Sequence, residues 1–149
     1  MRRRFSALDL GPLPIELVGY ALERKLPRGN VHFSAVSQDH AFERHGAEFL
    51  VCFPHVAATI ITPDHIGQSP RHAEGFEMLR ALDEISGYGA HVLVAISLDL
   101  DDAGRYAIQS VYPIGYAAVR RRLRKGYLAT VSAWKGKSPT KVAGPFLEA

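Results

Sequence analysis

A chain of 149 residues, 47% hydrophobic and 22% charged, is long enough for one domain with a true core, and its composition excludes a disordered or fibrous class. The formal net charge of +3 favours an anionic partner only weakly. A single cysteine, Cys52, excludes an intrachain disulfide and fits a reducing compartment, and no apolar run reaches the ~20 residues of a membrane helix.

The chain begins Met1-Arg-Arg-Arg, but FSALDLGPLPIELVGY follows with Asp9, Glu16 and several turn-formers, which argues against a secretory leader. Residues 1–13 read as a basic arm and a Gly-Pro turn. Pro14 suits the first turn of a helix, with Glu16 favourable near its N-terminus. Ile15, Val18, Ala21 and Leu22 fall on one helical stripe. Pro27-Arg28-Gly29-Asn30 ends that helix, and Val31-His32-Phe33 is a short extended piece. Ser37 is a suitable cap for a second helix, QDHAFERH, which Gly46 terminates. On it His40 and Arg44 share a face. His45 sits in the last turn, where the helix dipole favours its protonated form.

Residues 47–62 are apolar, with Cys52 as core packing; Pro54 can open a helix, HVAATII, that Pro63 ends. Asp64 to Pro70 is a loop or short edge strand. AEGFEMLRALDEI (73–85) fits two readings. Met78, Leu79, Leu82 and Ile85 have helical spacing, whereas Phe76, Met78, Arg80 and Leu82 fit one face of a strand.

The clearest signal is His91 to Tyr112. VLVAISL and RYAIQSVY flank the turn cluster DLDDAG, as in a β-hairpin that Pro113 stops. Side-chain alternation puts Val92, Val94, Ile96 and Leu98 on one face, and Tyr106, Ile108, Ser110 and Tyr112 on one face of the second strand. Ser110 and Tyr112 then project from the same side, about 7 Å apart. GYAAVRRRLRKGYL reads as a final helix with Tyr116, Val119 and Leu123 inward, and the remainder as a strand remnant and loose tail. Helices first and a hairpin late point to an α+β fold.

The order VHFS, SQDHAFERHG, an apolar helix ending in TPDHI, FEMLR, VLVAISLD, AGRYAIQSVYPI and RRRLRKGYL resembles the phage-associated branch of the barnase–EndoU–colicin–RelE-like (BECR) nucleases over residues 29–128. It leaves an arm and helix over 1–28 and a tail over 129–149. The resemblance implies N-terminal helices packed on a small antiparallel sheet, and a metal-independent ribonuclease, without cofactor, in the cytoplasm of a bacterium or phage-infected host. It implies RNA as partner, tRNA among the candidates, and an acidic inhibitor or immunity protein. Carried over by position, the site residues are His45, Ser110 and Tyr112, with His40 as a second histidine. The strand reading of FEMLR aims Arg80 along the sheet. No single lysine matches, so the cation is open among Arg44, Arg80, Arg120, Arg121 and Lys125.

These residue types suit the chemistry. Histidine titrates near working pH and can move the protons of RNA cleavage. Arginine grips two phosphate oxygens at once, and the Ser110 and Tyr112 hydroxyls can donate to the same oxygens. Each has a plainer alternative: a helix-terminating histidine, a solvated strand face, a solvated helix face for RRRLRK. His40 and His45, five apart with no cysteine pair, make a poor metal pair. Ser110 lacks the G-x-S-x-G elbow of a nucleophile. His55, His65, His72 and His91 read as structural or surface. A non-catalytic nucleic-acid-binding or phage-assembly module is the competing function.

Overall fold

The structure, a computed structural model, describes residues 5–68, 74–82 and 90–131. In chain order its elements are β1 (Leu8–Pro12), α1 (Ile15–Leu22), β2 (Asn30–Phe33), α2 (Ala35–His45), α3 (Ala47–Cys52), a 3₁₀ turn (Phe53–His55) and α4 (Val56–Ile61). Then follow β3 (His65–Gly67), β4 (Gly75–Ala81), β5 (His91–Ser97), β6 (Tyr106–Ile114), α5 (Tyr116–Arg124) and β7 (Leu128–Thr130). The fold is α+β. The sheet runs β1-β2-β6-β5-β4-β3-β7, antiparallel at every pairing except the parallel β2–β6. It is thus a seven-stranded mixed sheet, larger than the small antiparallel one expected.

The excess comes from short strands that lack a clear period of two. LDLGP, read as arm and turn, is β1, joined to β2. β3 is interior, between β4 and β7. For FEMLR the strand reading holds: β4 pairs with β5 along its whole length, from Gly75↔Ser97 to Ala81↔His91. Burial on both faces explains the ambiguity, since Phe76, Met78 and Leu79 are all buried.

Local chemistry sets the helix ends. The cap of α2 is Ser34, three residues before the expected Ser37; its hydroxyl accepts from the Ser37 N–H at 3.0 Å. Gly46, at φ +56°, ends the helix as read, with its N–H on the Phe42 carbonyl.

The main core lies under one sheet face. Val92, Val94, Ile96 and Leu98 share it as alternation requires, packed with Phe33, Phe49, Val56 and Ile60. Phe5, Phe33, Phe49 and Phe53 meet in edge-to-face and tilted pairs. Leu13, Leu17, Val18 and Leu26 belong to the same cluster, so the segment before residue 29 packs with the rest as one unit. Cys52 is buried there, its thiol pushed up to about 12 by desolvation first and Glu48 second, which makes it inert packing. A smaller core, Leu79, Leu93, Val119 and Leu128, holds α5 on the other face, with Leu123 and Tyr112 against it. Tyr116, expected inward, is 55% exposed and meets His91 edge-on.

One irregularity in β6 decides the site. Ile108 pairs with Ile96 and Ser110 with Ala95, so Gln109 is an extra residue, a β-bulge. It resets the alternation. Tyr106 and Ile108 point into the main core, whereas Tyr112 lies against the α5 cluster. The expectation that Tyr106, Ile108, Ser110 and Tyr112 share one face is therefore corrected. Pro113 does not stop the strand, which continues to Ile114. Of the C-terminal tail, Val131 is buried, and residues 132–149 lie outside the described residues, as does His72.

Candidate functional site

β2 pairs with β6 only at Val31↔Tyr106 and His32↔Ala107. Past that point α2 and α3 pack against β6 instead. The last turn of α2 is thereby brought to the part of β6 that the bulge has turned over. The His45 imidazole stacks on the Tyr112 phenol, ring centroids 4.8 Å apart and planes at 22°. Arg44, Glu77, Gln109 and Ser110 supply the other polar side chains that line a cleft of about 360 Å³ around this pair.

The electrostatics set protonation states. Burial first, and the Arg44 guanidinium second, hold the His45 pKa below its ordinary value of 6.5, against the opposing pull of Glu48. The helix dipole was expected to favour imidazolium; loss of water outweighs it. Tyr112 is shifted the other way. Burial and then Glu77 raise its pKa, opposed by the charge and hydrogen bond of Arg122 and by Arg44. At neutral pH the cleft therefore presents a neutral imidazole against a neutral phenol, with the Arg44 cation at its edge.

Glu77 and Arg122 are site residues that sequence reasoning did not single out. The buried Glu77 carboxylate of β4 is ion-paired with the Arg122 guanidinium of α5, tying the helix to the sheet beside Tyr112. Their signals were present. Glu77 alternates with Phe76 and Met78, placing a carboxylate on the sheet's second face. Arg122 lies three residues from the inward Val119, on the packed side of the helix. Gln109 was also missed, because a bulge has no reliable mark in a single sequence.

The remaining candidates fall in different places. His40 is exposed and lines a second hollow, about 320 Å³, with Glu43, Arg44, Gln109 and Ser110. Arg120, Arg121 and Lys125 lie on the outer side of α5 in solvent. Arg80 does not reach the cleft, contrary to expectation. It is paired opposite Val92, and its Nη1 donates to the Thr62 carbonyl (2.8 Å) and hydroxyl (2.7 Å), closing the end of α4. A larger hollow, about 630 Å³, lies between β1, α1 and the β5–β6 loop. In it Asp9 accepts from Asn30 and the Gly11 N–H, and Arg105 pairs with the neighbouring Asp101; Glu16 and Arg28 also line it. It offers no comparable acid–base pair.

Among the described residues no three His, Cys, Asp or Glu side chains gather to hold a metal ion, and no helix is long and apolar enough to cross a membrane. Comparison of the chain with family models, with curated proteins and with solved structures returns no match. The functional reading rests on the geometry of the cleft.

Proposed function

We propose that this chain is a metal-independent endoribonuclease of the BECR type, acting on RNA, tRNA among the candidates, in the cytoplasm of a bacterium or an infected host. The observation that carries the reading is the His45–Tyr112 stack, formed by a helix and a strand more than 60 residues apart in sequence, at a cleft edged by Arg44 and Ser110.

Each group has a task its environment suits. Neutral His45 takes the proton of the ribose 2′-hydroxyl, which needs an unprotonated imidazole. The 2′-oxygen attacks phosphorus and the bond to the 5′-oxygen breaks. Tyr112, kept as a phenol, donates its proton to that departing oxygen. Arg44 and the Ser110 hydroxyl hold the non-bridging oxygens as charge builds on them. The products are a 2′,3′-cyclic phosphate and a 5′-hydroxyl end. His40 stands on the far side of Arg44 and Ser110 and is a positioning residue in this scheme.

The test is incubation of the purified chain with total tRNA and with a structured RNA, with and without EDTA, followed by analysis of the ends. Chelator-resistant cutting to cyclic phosphate, lost in His45→Ala, supports the reading. No cutting by the wild type, or full activity of His45→Ala, overturns it.

A second reading is favoured by one observation: Arg120, Arg121, Arg124 and Lys125 form an exposed cationic side of α5. A non-catalytic nucleic-acid-binding module would bind RNA without cutting, with a salt dependence that weakens when Arg121 or Lys125 is neutralised. A phage-assembly module would present the same side to an acidic protein. On the nuclease reading, an acidic inhibitor would cover this side and the cleft together.

A further inference from the structure

We propose that the bulge at Gln109 divides the site into two adjoining nucleotide subsites for one single-stranded RNA, with Gln109 as a residue that reads the bases. The inference rests on the ribonuclease reading and names how its substrate lies.

Two hollows, about 360 and 320 Å³, flank the bulge and share Arg44, Gln109 and Ser110. Only the first contains His45 and Tyr112; only the second contains His40 and Glu43. The shared ridge carries a cation and a hydroxyl, which suits a phosphate. Glu43 in the second hollow repels phosphate, so that hollow suits a base rather than the backbone. A carboxylate can only accept, and it selects bases that present N–H groups. Sequence-dependent recognition of RNA works on unpaired, splayed bases of this kind.

Gln109 is placed to serve both hollows. As the extra residue of the bulge it is exposed and outside the regular ladder. Its amide both donates and accepts, as base reading requires. The amide oxygen lies near Gly75 of β4, where a Cβ would meet it at an ordinary contact distance of 3.4 Å. The scissile phosphate then sits on the Arg44–Ser110 ridge, one flanking nucleotide in each hollow.

The experiment is limited digestion of a mixed-sequence RNA by wild type, Gln109→Ala, Glu43→Gln and His45→Ala, with sequencing of the cut ends and circular dichroism of each variant. The wild type is expected to show a base preference beside the cut. Gln109→Ala and Glu43→Gln are expected to change the ratio of preferred to other sites by about 5- to 100-fold, the discrimination carried by one good base contact. His45→Ala is expected to lose cutting at all sites alike. Wild-type cutting with identical site preference in Gln109→Ala and Glu43→Gln overturns the two-subsite proposal and leaves the nuclease reading standing. No cutting by folded wild type overturns both.

Discussion

The imidazole of His45 lies nearly flat on the phenol of Tyr112, 4.8 Å between centroids, and the two pKa values are displaced in opposite directions by the same burial. Packing and chemistry can be separated at this pair. Tyr112→Phe keeps the stacked ring and removes the proton donor. On the proposed mechanism it lowers RNA cleavage by about 10²–10⁴-fold while the melting temperature changes little. Tyr112→Ala loses both. Cleavage rates set beside thermal unfolding of the two variants check this; a fully active Tyr112→Phe removes the phenol from the mechanism.

The pH dependence of cleavage follows from the depressed His45 pKa. A base whose pKa lies below 6.5 stays competent until the pH falls through that lower value, so the acid limb of the rate profile is expected below 6.5. Glu48 raises the His45 pKa, so Glu48→Gln shifts the limb to still lower pH. Initial rates between pH 4.5 and 8 for the two proteins measure the shift.

Stability has its own pH dependence. His45, His65 and His91 all have pKa values lowered first by burial; His65 also lowers His91, while Asp64 raises both. Below about 6.5 the unfolded chain binds protons that the folded chain refuses, so stability is full above that value and falls as pH drops through the window beneath it. For His91, only 4% exposed and with its Nδ1 unpartnered among the described residues, the slope is at most about 1.4 kcal/mol per pH unit. Urea midpoints between pH 5 and 8 should show this fall, less steeply in His91→Leu.

Removing Arg122 strips the buried Glu77 carboxylate of its guanidinium partner. Arg122→Met is expected to destabilise by about 3 kcal/mol, and adding Glu77→Leu to recover much of it. Chemical denaturation of the single and double variants gives the coupling.

Arg80 sits away from the cleft, fastened to Thr62. Arg80→Ala should leave RNA affinity and cleavage at wild-type levels, with a stability loss of about 1 kcal/mol from the lost hydrogen bonds. A fluorescence titration with labelled RNA decides it; a tenfold loss of affinity would restore Arg80 to the binding surface.

What could be read in the sequence follows how far each signal is local. The β5–β6 hairpin, the stop of α2 at Gly46 and the burial of Cys52 depend on alternation, a turn glycine and an apolar run, all visible within a few residues. β1 and the parallel β2–β6 pairing depend on partners distant in sequence, and LDLGP alone looks like a turn. At the site, His45, Ser110 and Tyr112 were picked out by residue type and resemblance, and the structure brings the three to one cleft. Glu77 and Arg122 escaped because each makes sense only once the strand and helix bearing them are packed together.

The irregular pairing at Gln109 gives the two halves of β6 opposite parity: even-numbered residues, Tyr106 and Ile108, face the main core before it, and odd-numbered Val111 faces it after. Loss of that one residue would leave Ile108 opposite Ile96 and Ser110 opposite Ala95, so Ser110 and Tyr112 would keep their face and only the protruding amide would go. A one-codon deletion that preserves the reading frame would thus spare the hydroxyls, whereas a register slip that drew residue 109 into the ladder would turn them into the main core and bring Val111 out.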